Sequence, residues 1–266
     1  MRSVGVRVET FFVFLLVGVL AQAVDGALGM AYGVISTSVL LALGVPPATA
    51  SASVHGAEVF TTAASAASHV AHRNVDWRLF RPLTVAGVIG GCAGAYVLAG
   101  IEGDVIKPFI IAYLALMGIY ILWRAGHDIR IRRIRAWLMA PVGLFAGFLD
   151  AAGGGGWGST VNSTLVGAGQ EPRRAIGTTN AAEFFLTAAI SATFLWSLLT
   201  GHWERAGALE NHLAAVAGLV VGGLLAAPFA GLITKRAPRK VLAYAVGSVL
   251  LLIAGFQTLQ LTGVMA

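Results

Sequence analysis

Ten apolar runs divide the chain, at about 11–28, 31–44, 48–70, 80–100 and 105–124, then again at about 137–152, 157–169, 174–200, 207–233 and 240–262. A helix that crosses a bilayer needs roughly 20 apolar residues. The third, fourth and fifth runs of each set are that long; the second runs, 31–44 and 157–169, are not. Glycines also part the first run from the second, as DGALGMAYG in one set and DAAGGGGWG in the other. Short paired segments in corresponding places predict broken or re-entrant helices, which a membrane tolerates only where protein or a wet cavity satisfies the opened backbone. The pattern predicts an all-α polytopic membrane protein made of two repeats, each of about five hydrophobic segments, with eight to ten membrane segments in total. The first repeat is expected over 1–124, a basic connection over 125–136 and the second repeat over 137–266.

The two sets are copies of one another. Gly143 to Thr187 repeats Gly18 to Thr62 at a constant offset of 125 residues without a gap. Across it Asp25 matches Asp150, Gly29 matches Gly154, Gly33 matches Gly158, Pro47 matches Pro172, Glu58 matches Glu183 and Thr62 matches Thr187. An ungapped duplication that keeps acidic residues in apolar surroundings is the strongest signal in the sequence.

Composition agrees with a membrane protein: of 266 residues 57% are hydrophobic and 11% charged, and the mean hydropathy is +0.81. A soluble domain carries roughly a quarter charged residues. The net charge of +6 invites a nucleic-acid reading. Placement excludes it, because nearly every Lys and Arg sits in a short connection or at a segment end, as cytoplasmic loops require. The connection at 71–82 carries Arg73, Arg78 and Arg81, whereas its counterpart near 201–211 sets Arg205 against Glu204 and Glu210. The connection at 101–107 carries Glu102, Asp104 and Lys107; its counterpart at 234–240 carries Lys235, Arg236, Arg239 and Lys240. Equivalent loops of unequal basicity predict inverted repeats. Arg124, Arg130, Arg132, Arg133 and Arg135 mark the joining segment as cytoplasmic, which places both chain ends outside, although Arg2 and Arg7 pull the other way. The N-terminal run, with Ala21-Gln22-Ala23 after it, imitates a secretory signal; its membership in the duplication predicts a retained first segment. The single Cys92 excludes an internal disulfide and a cysteine metal cluster.

Four acids lie well inside apolar runs: Asp25, Glu58, Asp150 and Glu183. A charge there costs at least about 2.5 kcal/mol on insertion scales, so such groups are paired or functional. His55, Glu58 and Thr62 fall on one helix face, as do Asn180, Glu183 and Thr187. Gln22, Asp25 and Gly29 form a similar stripe. These residues either cap broken helix ends or take part in coupling, and both uses meet the same burial cost. The glycine runs lead into Ser36-Thr37-Ser38 and into Ser159 to Thr164. A helix that begins after bare backbone offers free N–H groups and a positive dipole end, an anion site. Gly29, Gly33, Ser36, Thr37, Gly154, Gly155, Gly158, Ser159, Thr160, Asn162, Ser163 and Asn180 are the expected substrate-binding residues. Close helix packing is the alternative use of the glycines. His55 is either a bonded packing residue or, three residues from Glu58, a proton handler. Trp77, Trp123, Trp137 and Trp203 are expected at the interface, and Trp157 and its twin Tyr32 beside the cavity; Arg173 and Arg174 begin a helix as interfacial anchors or anion attractors. An enzyme would need a nucleophile–base pair or a metal cluster, and the sequence shows neither, with only His69 and His72 close together. A cation carrier served by the four carboxylates is the further alternative.

The duplicated order of acid, glycine break, short Ser/Thr segment and Pro-started helix with Asn/His-x-x-Glu resembles the TauE/SafE sulfite exporter family, also called the 4-toluene sulfonate uptake permeases. The carriers are LAQAVDGALGMAYG with SASVHGAEVF and LFAGFLDAAGGGGWG with TTNAAEFFLTA, and the resemblance runs from about Phe11 to Leu261. It implies a multi-pass permease of the bacterial plasma membrane for small, often sulfur-containing anions such as sulfite and sulfonates. It also implies a lipid bilayer as partner and coupling to a proton or sodium gradient; alternating access would follow from one repeat rocking on the other. No cofactor, metal or nucleic acid is implied. His55 in place of the second half's amide departs from exact symmetry.

Overall fold

The computed structural model describes residues 2–127, 135–167, 170–203, 213–227 and 239–262, without the side chains of 2–8, 26, 27, 172 and 239. Arg130, Arg132 and Arg133 of the basic connection lie outside the described residues, as do Glu204, Arg205, Glu210, Lys235 and Arg236. Among the described residues the regular elements are ten α-helices and one short 3-10 turn, Ala136–Leu138. The helices are α1 (Arg2–Leu28), α2 (Tyr32–Ala42), α3 (Pro47–Ala71), α4 (Trp77–Gly100) and α5 (Gly103–Gly126). They continue with α6 (Met139–Gly153), α7 (Gly156–Gly167), α8 (Pro172–Leu199), α9 (Leu213–Ala226) and α10 (Arg239–Leu261).

Five of these are long and apolar enough to cross a membrane: α4, α5, α6 with its preceding turn, α8 and α10. α3 has the length, 25 residues, but its Ser, Thr, His and Glu side chains keep it out of that group. The second run of each half is short, as its sequence predicts. α2 has 11 residues and α7 has 12. At 1.5 Å per residue each reaches about 17 Å, a little over half of the roughly 30 Å hydrocarbon core.

The molecule is polar inside and apolar outside. Ser36, Thr37, Ser51, His55, Glu58, Asp150, Asn162 and Asn180 are buried, while Leu16, Phe60, Phe109, Leu116, Phe145 and Trp196 are exposed. An apolar exterior suits lipid contact, where helices gain nothing by hiding leucine from hydrocarbon and associate through close packing instead. Glycine supplies that packing. Gly18, Gly218, Gly222 and Gly223 bring the α1 and α9 backbones into contact, and Gly87, Gly90, Gly94, Gly143 and Gly147 do so for α4 and α6. Both pairs run parallel.

The α5–α10 and α3–α8 pairs run antiparallel. Gly118 meets Gly247 and Leu251 while Gly126 meets the Tyr244 hydroxyl. Thr62 and Thr187 hydroxyls lie 3.4 Å apart, and Asn180 Nδ2 donates to Ser65 Oγ at 2.9 Å. Asp76, just past α3, donates its amide to Thr178 Oγ1 and accepts from Gln170 Nε2 on its carboxylate, so the start of α8 sits at the end of α3. At the other end of α8, the His202 ring stacks on Tyr96 with centroids 4.0 Å apart.

A candidate substrate site at two crossed helix breaks

The breaks after α1 and α6 have the same construction. Gly29 and Gly154 adopt φ of +68° and +67°, a left-handed conformation that favours glycine and ends a helix. The Gly29 amide donates to the Asp25 carbonyl and the Gly154 amide to the Asp150 carbonyl. The carboxylates then tie down the next helix. Asp25 Oδ1 accepts from the Ala31 and Tyr32 amides at 2.8 and 3.3 Å, and Asp150 Oδ1 accepts from the Trp157 amide at 3.0 Å. An anionic oxygen on a helix's first amides meets both the unfilled donors and the positive dipole end. The capping use of Asp25 and Asp150 is therefore formed here, and they occupy amides that the sequence reading offers to a substrate.

The two breaks cross. Gly33 lies against the Gly154 carbonyl and the Glu58 carboxylate, and Gly158 lies against the Gly29 carbonyl and Met30. Thr37 Oγ1 donates to the Gly154 carbonyl at 3.4 Å, while Asn162, at the equivalent place, donates to the Leu28 carbonyl at 2.9 Å. Gly155 packs on Val34. The Ser159 hydroxyl donates back to Gly155 and Gly156. Ser36 is fully buried with an unpartnered hydroxyl, Ser163 is buried and Thr160 half-buried.

Beside the crossing lies a cavity of about 10 Å³, closed down to the room of about one water molecule, lined by Gln22, Asp25, Tyr32, Glu58, Thr61, Thr62, Ser65, Asn180 and Glu183. It gathers three of the four intramembrane carboxylates and the second-half amide Asn180. Of the twelve expected substrate-binding residues, only Asn180 lines it. The Ser/Thr segments of α2 and α7 pack around the crossing instead. Thr61 and Ser65 are residues that the sequence reading does not reach; their signal was the i, i+3, i+7 spacing from Glu58 along the same face of α3. Thr61 and Thr62 hydroxyls both donate to the Glu58 carbonyl, Tyr32 OH donates to the Leu219 carbonyl and one Asn180 N–H donates to Ser65, so the donors left for a solute are the Gln22 amide, the second Asn180 N–H and the Ser65 hydroxyl.

The cavity is one-sided. The twins of Thr61 and Ser65 are Leu186 and Ile190, both fully buried against Gly91. On that side Asp150 turns its second oxygen to His55, with Nε2 and Oδ2 3.2 Å apart. Trp157, expected beside the cavity like Tyr32, is instead buried, and its indole N–H donates to the Thr179 carbonyl at 3.2 Å. Trp203 is buried against Phe194 and not at the interface; Trp77, Trp123 and Trp137 are exposed at segment ends. Arg173 and Arg174 are exposed in the first turn of α8. A larger pocket of about 480 Å³ opens where α3 and α5 begin, walled by Pro47, Glu102, Asp104, Lys107, His202 and Trp203; none of the four intramembrane acids lines it. Among the described residues no three His, Cys, Asp or Glu side chains come together as a metal ion would need.

Apolar helices around a buried polar cavity, with two helices broken beside it, describe a polytopic membrane transporter. The chain belongs to the sulfite exporter TauE/SafE family, whose model matches residues 14–256. It is 40% identical over 255 residues to the probable membrane transporter protein YtnM of Bacillus subtilis (strain 168), a match covering 92% of this chain and 81% of that protein. No solved structure matches.

Proposed function

We propose that this chain is a secondary transporter of small anions, with sulfite, sulfonates and related sulfur-containing anions as its substrate class, acting by alternating access in a bacterial plasma membrane. The repeats at 1–124 and 137–266 are read as inverted copies. That reading draws support from the antiparallel courses of the equivalent pairs α3 with α8 and α5 with α10, and from Thr62 lying against its own twin Thr187. An atom that touches its symmetry mate lies beside the axis, and the cavity is next to it.

One observation carries the proposal: a cavity at the crossed breaks whose free donors are amides and a hydroxyl, with Asp25, Glu58 and Glu183 around them. An anion cannot enter beside ionised carboxylates. At 4 Å and an effective dielectric of 20, each like-charge pair costs about 4 kcal/mol. Protonated, the same groups become donors to an oxyanion. The anion therefore travels with protons, and Glu58 and Glu183 are the coupling acids. Asp25, bound to two amides, remains the cap.

The three carboxylates also favour a second reading, transport of a cation by direct coordination. Thermal-shift titration of the purified protein separates the two. Stabilisation by sulfite, thiosulfate or sulfoacetate that strengthens as pH falls supports the anion reading; stabilisation by sodium or potassium with no response to the anions overturns it.

A further inference from the structure

The His55–Asp150 contact fixes a proton by hydrogen-bond arithmetic. His55 Nδ1 lies 2.8 Å from the Ser51 carbonyl and 3.2 Å from Ser51 Oγ. A carbonyl only accepts, and the Ser51 hydroxyl proton is spent on the Ala151 carbonyl at 2.6 Å. Both neighbours of Nδ1 are thus acceptors, and Nδ1 must carry hydrogen. The other ring nitrogen, Nε2, faces Asp150 Oδ2 at 3.2 Å. With Nδ1 protonated, a neutral ring would turn its Nε2 lone pair on an ionised carboxylate, which is repulsive. One more proton must lie between them, as imidazolium with carboxylate or as imidazole with carboxylic acid.

We infer that His55 Nε2 and Asp150 Oδ2 form a proton-binding site separate from the solute cavity, and that its proton decides whether α7 stays docked. Asp150 joins the two ends: Oδ2 holds the proton and Oδ1 caps the Trp157 amide at the start of α7. With the proton bound, the pair is neutral overall and fully bonded in a buried position, which is what a 3.2 Å contact between these two atoms requires. With the proton lost, a lone pair and a negative charge oppose each other where His55 is fully buried, and separation of α3 from α6 relieves it. Loading and release of this proton would accompany the swing of the second half's break.

The charges that face the pair are of one sign: Glu58, one turn on from His55 along α3, acts on His55, and Glu183 of α8 acts on Asp150, both acidic. Tyr113 of α5 adds a buried, unpartnered hydroxyl on the Asp150 side, packed against Gly156. The first break cannot repeat the device, because the mirror partner of Asp25 would be Asn180, the second-half twin of His55, and Asn180 bonds Ser65 instead.

The inference rests on the transporter reading only for its role in coupling; the proton itself is tested without transport. In ¹⁵N-histidine-labelled full-length protein, with H55Q as the assignment control, the His55 signals should show a protonated Nδ1 at neutral pH. Nε2 should be either protonated as well or an acceptor of a strong hydrogen bond. In D150N, where the new amide can donate to Nε2 and its oxygen can still cap Trp157, the ring should become the neutral Nδ1–H tautomer. A neutral Nε2–H tautomer in the wild type overturns the proposal. For the role, proteoliposomes of D150N and of H55Q should keep sulfite/sulfite exchange and lose accumulation of sulfite driven by a pH gradient. Wild-type accumulation in both variants would overturn the coupling role. Failure of the wild type to carry sulfite would instead count against the substrate class, and the ¹⁵N spectra would still decide the proton site.

Discussion

At the scale of single residues, Asp25 and Asp150 show how one acid in an apolar run can have a definite task. Each accepts from the helix that follows its break, so removal and neutralisation should differ. Asp25→Ala strands the Ala31 and Tyr32 amides and should cost about 1–3 kcal/mol, read as a lower melting temperature of the purified protein. Asp25→Asn keeps an accepting oxygen and should cost less than half as much; equal losses would mean that the charge and not the bond matters. Gly154 is the other fixed point. Its φ of +67° and its packing against Thr37 leave no room for a side chain. Gly154→Ala should lose about 1–2 kcal/mol from the backbone alone, with transport falling further than that of Gly44→Ala, whose φ is also positive but which nothing crowds. Matching losses would show that crossing geometry is not at stake. The capping acids and the glycine conformation were legible because the duplication displays each twice. The partner of each was not: that Asp150 Oδ2 meets His55, or that Trp203 packs inward on Phe194, depends on which faces α3, α6 and α8 turn to one another, and no periodicity records that.

At the scale of elements, ten apolar runs correspond to the ten described helices, and α2 and α7 are the two short ones expected; α1 begins earlier than its run, at Arg2, and the run at 207–233 extends on both sides of α9 beyond the described residues. Length and glycine placement are local properties, and a bilayer converts them directly into half-crossing helices. The cavity's wall was less accessible. Glu58 and Thr62 form a duplicated stripe, but Thr61 and Ser65 have Leu186 and Ile190 as twins, so repetition does not mark the very positions where the halves differ. The helix pairs depend on glycine more than on any large side chain. Gly90 lies on the Leu144 carbonyl, so Gly90→Val should force α4 from α6 and cost about 1–3 kcal/mol as overpacking does. Gly56→Val, at a site with open space around it, should leave the melting temperature nearly unchanged. Similar behaviour of both variants would contradict the packing described.

At the scale of the whole molecule, the relation of the halves turns on direction. The ends of α3 and α8, at His72 and Thr200, are exposed and should lie on opposite faces of the membrane. In a Cys92→Ala background, single cysteines at His72 and Thr200 should react with a membrane-impermeant maleimide from opposite sides of sealed vesicles. Reaction of both from one side would refute inversion. The unequal basicity of equivalent loops is what predicts the inversion that this labelling tests, and several of those charges lie outside the described residues; substrate identity was not legible, because the amide and hydroxyl donors are ordinary ones that suit many oxyanions. The most direct test of the central claim is uptake of radiolabelled sulfite by the purified protein in liposomes. The wild type should accumulate it saturably when the outside is more acidic, and Glu58→Gln or Glu183→Gln should abolish the dependence on the pH gradient. Uptake indifferent to pH and to both substitutions would contradict a proton-accompanied anion in the cavity at the crossed breaks.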